Sequence, residues 1–364
     1  MRFSGSIARY AFRYYLAQFA VVAGVFCLLI FTLDMLETLR RAEGKNVAFG
    51  VTLMLSGMKL PSVLLQSLPF AALIGSILAY RRLAHHSELV AMRACGASAW
   101  QFVAPAALAA FLVGTTALAV ADPLSAAMLK RRDRAEATYF DGDKNVASVL
   151  ESGLWLKQRK GEGGGKTLIR ASRISANSDA LYDAAFFMFD ADDNFIRRVD
   201  AKRASPENGV WRMTGVSTAV PGEKPKKFDR YEAPASISSQ HIRESFLRPE
   251  HFAFWRLPGF VTILRDSGFP VARHLLHFYA SLFSPLFLAS MASLGAAFSL
   301  AHARGGRGGI YAVIGLGAGF FVYFVNDIFY ALGLSGKLPL PLVALAAPAL
   351  CFSAAAATML HKEE

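Results

Sequence analysis

Six long apolar stretches occur along the chain, three before and three after a more polar region. They are almost free of charged side chains and cover residues 14–33, 60–80, 99–121, 274–300, 308–332 and 339–360. A helix needs about 20 consecutive apolar residues to cross the hydrocarbon core of a bilayer. The pattern therefore predicts six transmembrane helices with a large insertion between the third and the fourth.

The inserted region has the pattern of a β domain. Its short segments are rich in β-branched and aromatic residues and are separated by Gly, Asp, Asn or Pro. The predicted strands are residues 146–157, 167–174, 181–190, 195–203, 210–217 and 228–237. Strands of this length at near-regular spacing favour an antiparallel sandwich or jelly roll.

Residues 242–267, before the fourth apolar stretch, change to helical periodicity. Apolar side chains recur there about every three or four residues, at Phe252, Phe254, Trp255, Leu257, Phe260 and Leu264. This spacing predicts an amphipathic segment at the membrane surface. The expected division is three helices over residues 1–121, with a short helix near 84–95, the β domain over 122–255, and the interfacial segment with three helices over 256–364.

Composition agrees with a membrane protein and argues against a soluble enzyme. Of 364 residues, 54% are hydrophobic and 18% are charged, and the mean hydropathy is +0.35. A typical soluble domain has about 25% charged residues. The net charge of +12 does not indicate nucleic-acid binding, because the basic residues border the apolar stretches or are scattered over the strands.

The basic residues that flank the predicted helices indicate the orientation of the chain. On the side of the termini lie Arg2, Arg9, Arg13, Arg81, Arg82, Arg93, Arg304, Arg307 and Lys362, and on the other side lie Arg40, Arg41, Lys45, Lys59 and Lys337. Because cytoplasmic loops carry the excess of Lys and Arg, both termini are expected in the cytoplasm. The β domain is then extracytoplasmic.

Two glycine-rich segments resemble nucleotide-binding motifs but lack their context. Residues 160–167 end like a phosphate-binding loop, yet Lys160 stands where that pattern requires Gly, and a strand follows in place of a helix. Gly315, Gly317 and Gly319 lie inside an apolar stretch, where close helix packing explains them. No ATP or dinucleotide site is predicted.

Other catalytic and metal-binding patterns are also missing from the sequence. It contains no His-x-x-x-His pair, no nucleophile elbow and no convergent group of Cys or carboxylate residues. Cys27, Cys95 and Cys351 lie in or beside membrane segments, so no disulfide is expected. The sequence therefore predicts no enzyme, no metal and no cofactor.

The loop between the second and third apolar stretches has the features of a short cytoplasmic helix. Ser87 can cap it, Leu89, Met92 and Arg93 lie on adjoining turns, and Gly96 can end it. Such a helix lies on the bilayer surface or docks to a cytoplasmic motor. In the second case Glu88 and Arg93 are the polar anchors.

A polar group follows the first apolar stretch in the same helical register. It contains Asp34, Glu37, Arg40 and Arg41, and the spacing allows Glu37 to pair with Arg41. One interpretation is a set of interfacial residues that snorkel or pair. The other is that Arg40 and Arg41 bind an anionic lipid headgroup.

Asp327, next to Asn326, is an ionisable residue inside the fifth apolar stretch. It is expected at a depth similar to that of the polar group after the first stretch. An ionisable residue within a membrane span is costly and marks a candidate functional site. Pairing with Lys59 or Arg273 is the alternative explanation.

Several motifs together resemble the lipopolysaccharide export permeases of the LptF and LptG family, over essentially the whole chain. They are SELVAMRACG at residues 87–96, LPFAAL at 68–73 and VYFVNDIF at 322–329. The segments DMLETLRRA at 34–42 and SGLWLK at 152–157 are more similar to LptG than to LptF. Asp34 departs from the pattern, because some family members carry a basic residue there.

The resemblance implies a six-helix membrane protein with a periplasmic antiparallel jelly roll between helices 3 and 4. It implies a permease subunit of an ABC transporter in the inner membrane. With an LptF-like subunit and an LptB-like ATPase dimer, this transporter extracts lipopolysaccharide from the outer leaflet. It then passes the lipid to LptC and an LptA-like periplasmic bridge for export to the outer membrane.

The resemblance also implies roles for individual residues, and it implies no enzymatic activity in this chain. The ATPase-coupling residues are Ser87, Glu88, Leu89, Met92, Arg93 and Gly96. The lipopolysaccharide-binding residues are Arg40, Arg41, Glu37 and Asp327. A stand-alone secondary transporter with an extracytoplasmic sensor domain is the alternative, and in it Asp327 is a proton or ion site.

Overall fold

A computed structural model describes most of the chain, in two compact units. The described residues are 3–43, 47–85, 99–136, 139–140, 148–159, 166–175, 180–190, 194–207, 209–235, 248–266, 271–301 and 308–363. The helical unit contains Met1–Phe140, Pro249–Leu257 and Ala272–Glu364. The sheet unit contains Asp141–Arg248 and Pro258–Val271.

The prediction of six membrane spans is confirmed. In the part of the chain that the structure describes, six helical segments are long and apolar enough to cross a membrane. The α-helices are α1 Phe3–Ala42, α2 Phe49–His85, α3 Ala99–Thr116, α4 Asp122–Glu136, α5 Leu257–Asp266, α6 Ala272–Ala301, α7 Gly308–Leu334 and α8 Leu340–Glu363.

The third span is longer than its apolar stretch. A π-helical turn at Ala117–Ala121 joins α3 directly to α4, so residues 122–136, which the sequence assigned to the β domain, are helical. The apolar pattern ends at Ala121, and Pro123, which lacks a backbone N–H, directly follows the π-helical turn, where the regular hydrogen-bond pattern is already interrupted. Leu, Ala, Lys, Arg and Glu then continue the helix, because all five favour helical conformation.

The core of the helical unit forms where α2 crosses α6. Small residues allow the two backbones to approach, as is common between membrane helices. The Ser76 hydroxyl donates a 2.6 Å hydrogen bond to the carbonyl of Ala292, and Gly295 faces the carbonyl of Leu73. All four residues are buried.

The packing explanation for the glycines of α7 is confirmed at two of three positions. A Cβ atom at Gly315 would lie 3.1 Å from the side chain of Phe298, and one at Gly319 would collide with Leu73. A Cβ atom at Gly317 would meet no heavy atom within 4 Å. Close packing therefore explains Gly315 and Gly319 but not Gly317.

The predicted antiparallel β domain is also confirmed. The strands are β1 Ser148–Arg159, β2 Lys166–Ile174, β3 Leu181–Phe189, β4 Phe195–Glu207, β5 Val210–Ala219 and β6 Lys226–Pro234. Each strand pairs with the next in the chain, so the described strands form one sheet in sequence order. This order follows from the hairpin connections and differs from the two sheets of a sandwich.

The sheet curls so that its first and last strands meet. The Gln158 side-chain amide, in β1, donates a 2.7 Å hydrogen bond to the carbonyl of Pro234 in β6. The indole N–H of Trp211 donates a 3.0 Å hydrogen bond to the Gln158 side-chain oxygen. Gln158 and Trp211 are both buried, so this pair of bonds closes the sheet into a roll around an apolar core.

We expect the Gln158→Ala variant to loosen this roll. The substitution leaves the buried Trp211 N–H and the Pro234 carbonyl without their partner, which costs about 1–3 kcal/mol of sheet stability. Hydrogen exchange of the full chain in detergent should show faster exchange of β1 and β6 amides. Lys227→Ala, on an exposed position of β6, is the control, and equal protection in the two variants would contradict the role of Gln158.

The amphipathic segment before the fourth span has the predicted apolar pattern. It contains two 3₁₀ turns, Pro249–His251 and Phe254–Arg256, followed by α5. Trp255 is 65% exposed, whereas the other five predicted apolar residues are buried, namely Phe252, Phe254, Leu257, Phe260 and Leu264. Asp122 stabilises the last turn before α5, because the Phe254 amide in that turn donates a 2.7 Å hydrogen bond to the Asp122 carboxylate.

Candidate functional site

Seven charged side chains come together at one end of the helical unit. We call them the charged cluster, and they come from the end of α1, the first part of α2 and the end of α4. The members are Asp34, Glu37, Arg40, Arg41, Lys59, Arg132 and Glu136. Four of them were expected from the sequence as a polar group following the first span.

The inner part of the charged cluster is organised by Asp34. The Lys59 ammonium donates a hydrogen bond to Asp34 Oδ1, and Arg132 Nη2 lies 3.7 Å from the same oxygen. The carboxylate is 7% exposed. One helical turn further along α1, the Ser56 hydroxyl donates a 3.4 Å hydrogen bond to the Thr38 hydroxyl, which joins α2 to α1.

The outer part of the charged cluster is built around Arg41. Its Nε donates a 2.9 Å hydrogen bond to Glu37 Oε1, and its Nη1 lies 3.3 Å from Glu136 Oε1. This confirms the pairing of Glu37 with Arg41 expected from their spacing. Arg40 Nη2 lies 3.8 Å from Glu37 Oε2, and its side chain is 79% exposed.

The charged cluster carries one net positive charge, because it contains four cations and three carboxylates. Two of the cations, Arg40 and Arg41, are largely exposed at the end of an apolar helix. Guanidinium groups bind phosphate and carboxylate with two parallel hydrogen bonds. The arrangement can therefore bind an anionic lipid headgroup at the membrane surface.

Sequence reasoning missed three members of the charged cluster. Arg132 and Glu136 were placed in the β domain, although their i,i+4 spacing is a helical signal. Lys59 was considered as a partner for Asp327, but the structure places it on Asp34. Only the packing of α1, α2 and α4 brings these groups together.

Asp327 occupies a different place, in the wall of a cavity of about 430 Å³ within the helical unit. Among the described residues, no ion pair joins it to the charged cluster. Other polar groups that line this cavity are Asp122, Glu250, His277, Asn326 and Tyr330.

The predicted ATPase-coupling residues, Ser87, Glu88, Leu89, Met92, Arg93 and Gly96, lie outside the described residues. The described chain ends α2 at His85 and begins α3 at Ala99. The coupling segment therefore connects the second and third spans at the end of α2 that is opposite to Lys59.

Within the described ranges, no group of three or more His, Cys, Asp or Glu side chains is arranged to hold a metal ion. The charged cluster consists of ion pairs between cations and carboxylates.

Comparison with known proteins gives consistent matches over three quarters of the chain or more. The family model "Lipopolysaccharide export system permease LptF/LptG" matches residues 9–362. The lipopolysaccharide export system permease protein LptG of Escherichia coli K12 is 24% identical over 293 residues, which cover 78% of each chain. The protein of that name from Haemophilus influenzae is 25% identical over 285 residues, which cover 75% of each chain.

Proposed function

Because the chain belongs to the LptF/LptG family of lipopolysaccharide export permeases, we propose that it is the LptG-like subunit of an ABC transporter that extracts lipopolysaccharide. The chain is a multi-pass inner-membrane protein. In the proposed complex, an LptF-like subunit completes the membrane part and an LptB-like ATPase dimer hydrolyses ATP. LptC and an LptA-like bridge receive the lipid.

The exposed arginines at the end of α1 are the observation that carries this proposal. Below them, α1 presents exposed apolar side chains on one face, at Val21, Val25, Leu28, Leu29 and Leu33. Acyl chains need such an apolar wall, because exposing them to water costs about 0.8 kcal/mol per methylene. Arg40 and Arg41 then contact the phosphates of the lipid A headgroup.

The orientation of the chain follows from the flanking cations. We place both termini and the segment 86–98 in the cytoplasm, and the sheet unit in the periplasm. The charged cluster then faces the periplasmic side of the inner membrane, because it lies at the other end of α2 from segment 86–98. This is the leaflet from which the lipid is extracted.

A single helix connects the two proposed sites. α2 has 37 residues from Phe49 to His85, which corresponds to about 55 Å at 1.5 Å per residue. It carries Lys59 of the charged cluster near its start and leads into the coupling segment at its end. Movement of the ATPase against Glu88 and its neighbours would therefore displace α2 and change the lipid site.

Affinity purification of the tagged chain from its native membrane in mild detergent tests the complex. We expect an LptF-like permease and an LptB-like ATPase to co-purify, together with lipopolysaccharide-stimulated ATP hydrolysis. A chain that purifies alone, with no ATPase, would overturn the proposal. That result would favour a secondary transporter, with Asp327 and the cavity of the helical unit as the ion site.

The Arg40→Ala, Arg41→Ala double variant tests the headgroup site. Removing both guanidinium groups deletes the exposed phosphate contacts, so photocrosslinking to lipopolysaccharide should fall by about tenfold or more. Assembly with the partner subunits should be unchanged. Lys337→Ala removes an exposed cation on the same side of the membrane and serves as the control, and unchanged crosslinking of the double variant would refute the assignment.

A further inference from the structure

Asp34 is the most buried carboxylate of the charged cluster. Its side chain is 7% exposed, whereas Glu37 and Glu136 are 44% and 32% exposed. It contacts two cations through one oxygen, Oδ1. The second oxygen, Oδ2, is buried and makes no hydrogen bond among the described residues.

The two cations that contact Asp34 are the ones closest to the helix core. Lys59 is 38% exposed and Arg132 is 13% exposed, in contrast to Arg40 and Arg41. The Asp34 oxygen occupies the position on Lys59 that a phosphate oxygen would take. A headgroup that binds Lys59 or Arg132 must therefore displace Asp34 or share these cations with Asp34.

Displacing Asp34 is unfavourable, because its charge would remain buried without its partners. The headgroup therefore gains little binding free energy from Lys59 and Arg132 while Asp34 is ionised. Among the described residues, Arg40 and Arg41 pair with Glu37 and Glu136, which are 44% and 32% exposed, and ion pairs with this much exposure are weak. A phosphate can exchange with those partners at small cost.

We propose that Asp34 is an internal substitute for a phosphate group, and this inference rests on the function proposed above. Together with Glu136, which lies 4.0 Å from Arg132 Nε, it balances the charges of Lys59 and Arg132. The net positive charge that the charged cluster presents to the lipid then lies on Arg40 and Arg41. The specificity that results is for a headgroup recognised through one phosphate. A second phosphate on the same lipid adds little affinity.

A charge-neutral substitution tests this role. The complex in mild detergent is titrated with lipid A that carries one or two phosphates. The wild-type protein should bind the two lipids within about threefold of each other, because the inner cations are already paired. The Asp34→Asn variant should bind the two-phosphate lipid about tenfold more tightly than the wild type does, since Lys59 and Arg132 become available.

A double-mutant cycle with Lys59→Met tests whether the gain in affinity comes from the Asp34–Lys59 pair. Lys59→Met alone should change affinity by less than about twofold, because Asp34 already neutralises this lysine. The combination Asp34→Asn, Lys59→Met should lose most of the gain. If Asp34→Asn does not yield folded protein, the wild-type comparison of the two lipids decides, because a tenfold preference for the two-phosphate lipid would overturn the role of Asp34.

The outcomes separate this inference from the function on which it rests. A wild-type complex that binds neither lipid overturns the proposed function. Binding by the wild type with no gain in Asp34→Asn overturns only the role of Asp34. A tenfold loss in Lys59→Met alone would also overturn that role, since Lys59 would then bind the headgroup while Asp34 is present.

Discussion

The Gly295→Val variant is expected to destabilise the helical unit by about 3 kcal/mol or more, which is at the upper end of the cost of overpacking a core. A Cβ atom at Gly295 would lie 2.6 Å from the carbonyl oxygen of Leu73 and 3.0 Å from Cβ of Ser76. The first of these is a backbone atom and cannot rotate away. The helices α2 and α6 must therefore separate.

Separation of α2 from α6 has further consequences for the core. It removes the 2.6 Å hydrogen bond from the Ser76 hydroxyl to the Ala292 carbonyl. It also loosens contacts of Leu73 and Ile77, which are buried in the same cluster. We expect a lower midpoint of thermal unfolding in detergent and a lower yield of monodisperse protein.

Two matched controls isolate the effect of the helix crossing. Gly317→Val and Gly24→Val make the same change inside α7 and α1, where a new Cβ atom meets nothing within 4 Å. Their stability should change by less than about 1 kcal/mol, because Val and Gly differ little in helix propensity. A similar loss in all three variants would show that the α2–α6 crossing has no special role.

How well the sequence predicts each structural element depends on the physical signal that marks that element. Hydropathy identifies the spans, because the hydrocarbon core requires long apolar segments. It does not mark where a helix ends in water, and so the continuation of the third span to Glu136 was missed. That continuation depends on helix propensity and on the absence of a break after Pro123.

The strands show a similar division between pattern and local geometry. Their predicted bounds agree closely with those observed for β2, β3 and β5. The alternation of buried and exposed residues in β5 breaks at Gly215, which has φ of +65° and is skipped in the pairing with both neighbours. The register with both neighbouring strands is the same before and after Gly215, so the break lies in the backbone conformation at this one glycine.

The charged cluster was only partly predictable, because some of its members are far apart in the sequence. The pair of Glu37 with Arg41 is local, and its spacing in one helix is sufficient to predict it. Lys59 and Arg132 lie in other helices, and only tertiary packing places them on Asp34. Sequence patterns report contacts within an element far better than contacts between elements.

The Glu88→Arg variant is expected to abolish coupling to the ATPase while leaving the chain inserted in the membrane. Glu88 lies in the segment that joins α2 to α3, at the cytoplasmic end in the proposed orientation. A docking contact formed by a carboxylate becomes repulsive when its charge is reversed, and truncating one partner of a buried charge pair already costs about 2–5 kcal/mol. We expect the co-purifying ATPase and the lipid-stimulated hydrolysis to fall by at least about thirtyfold, which corresponds to the lower end of that range.

The control for this variant is Glu223→Arg, a charge reversal at an exposed site of the sheet unit. Within the described ranges, Glu223 forms one ion pair, at 3.0 Å with Lys226 on the surface, and such a pair contributes at most about 1 kcal/mol. Its ATPase yield should equal that of the wild type. Normal ATPase recovery and normal stimulated hydrolysis in Glu88→Arg would exclude Glu88 from the docking contact, and α2 would then have no assigned link from the motor to the charged cluster.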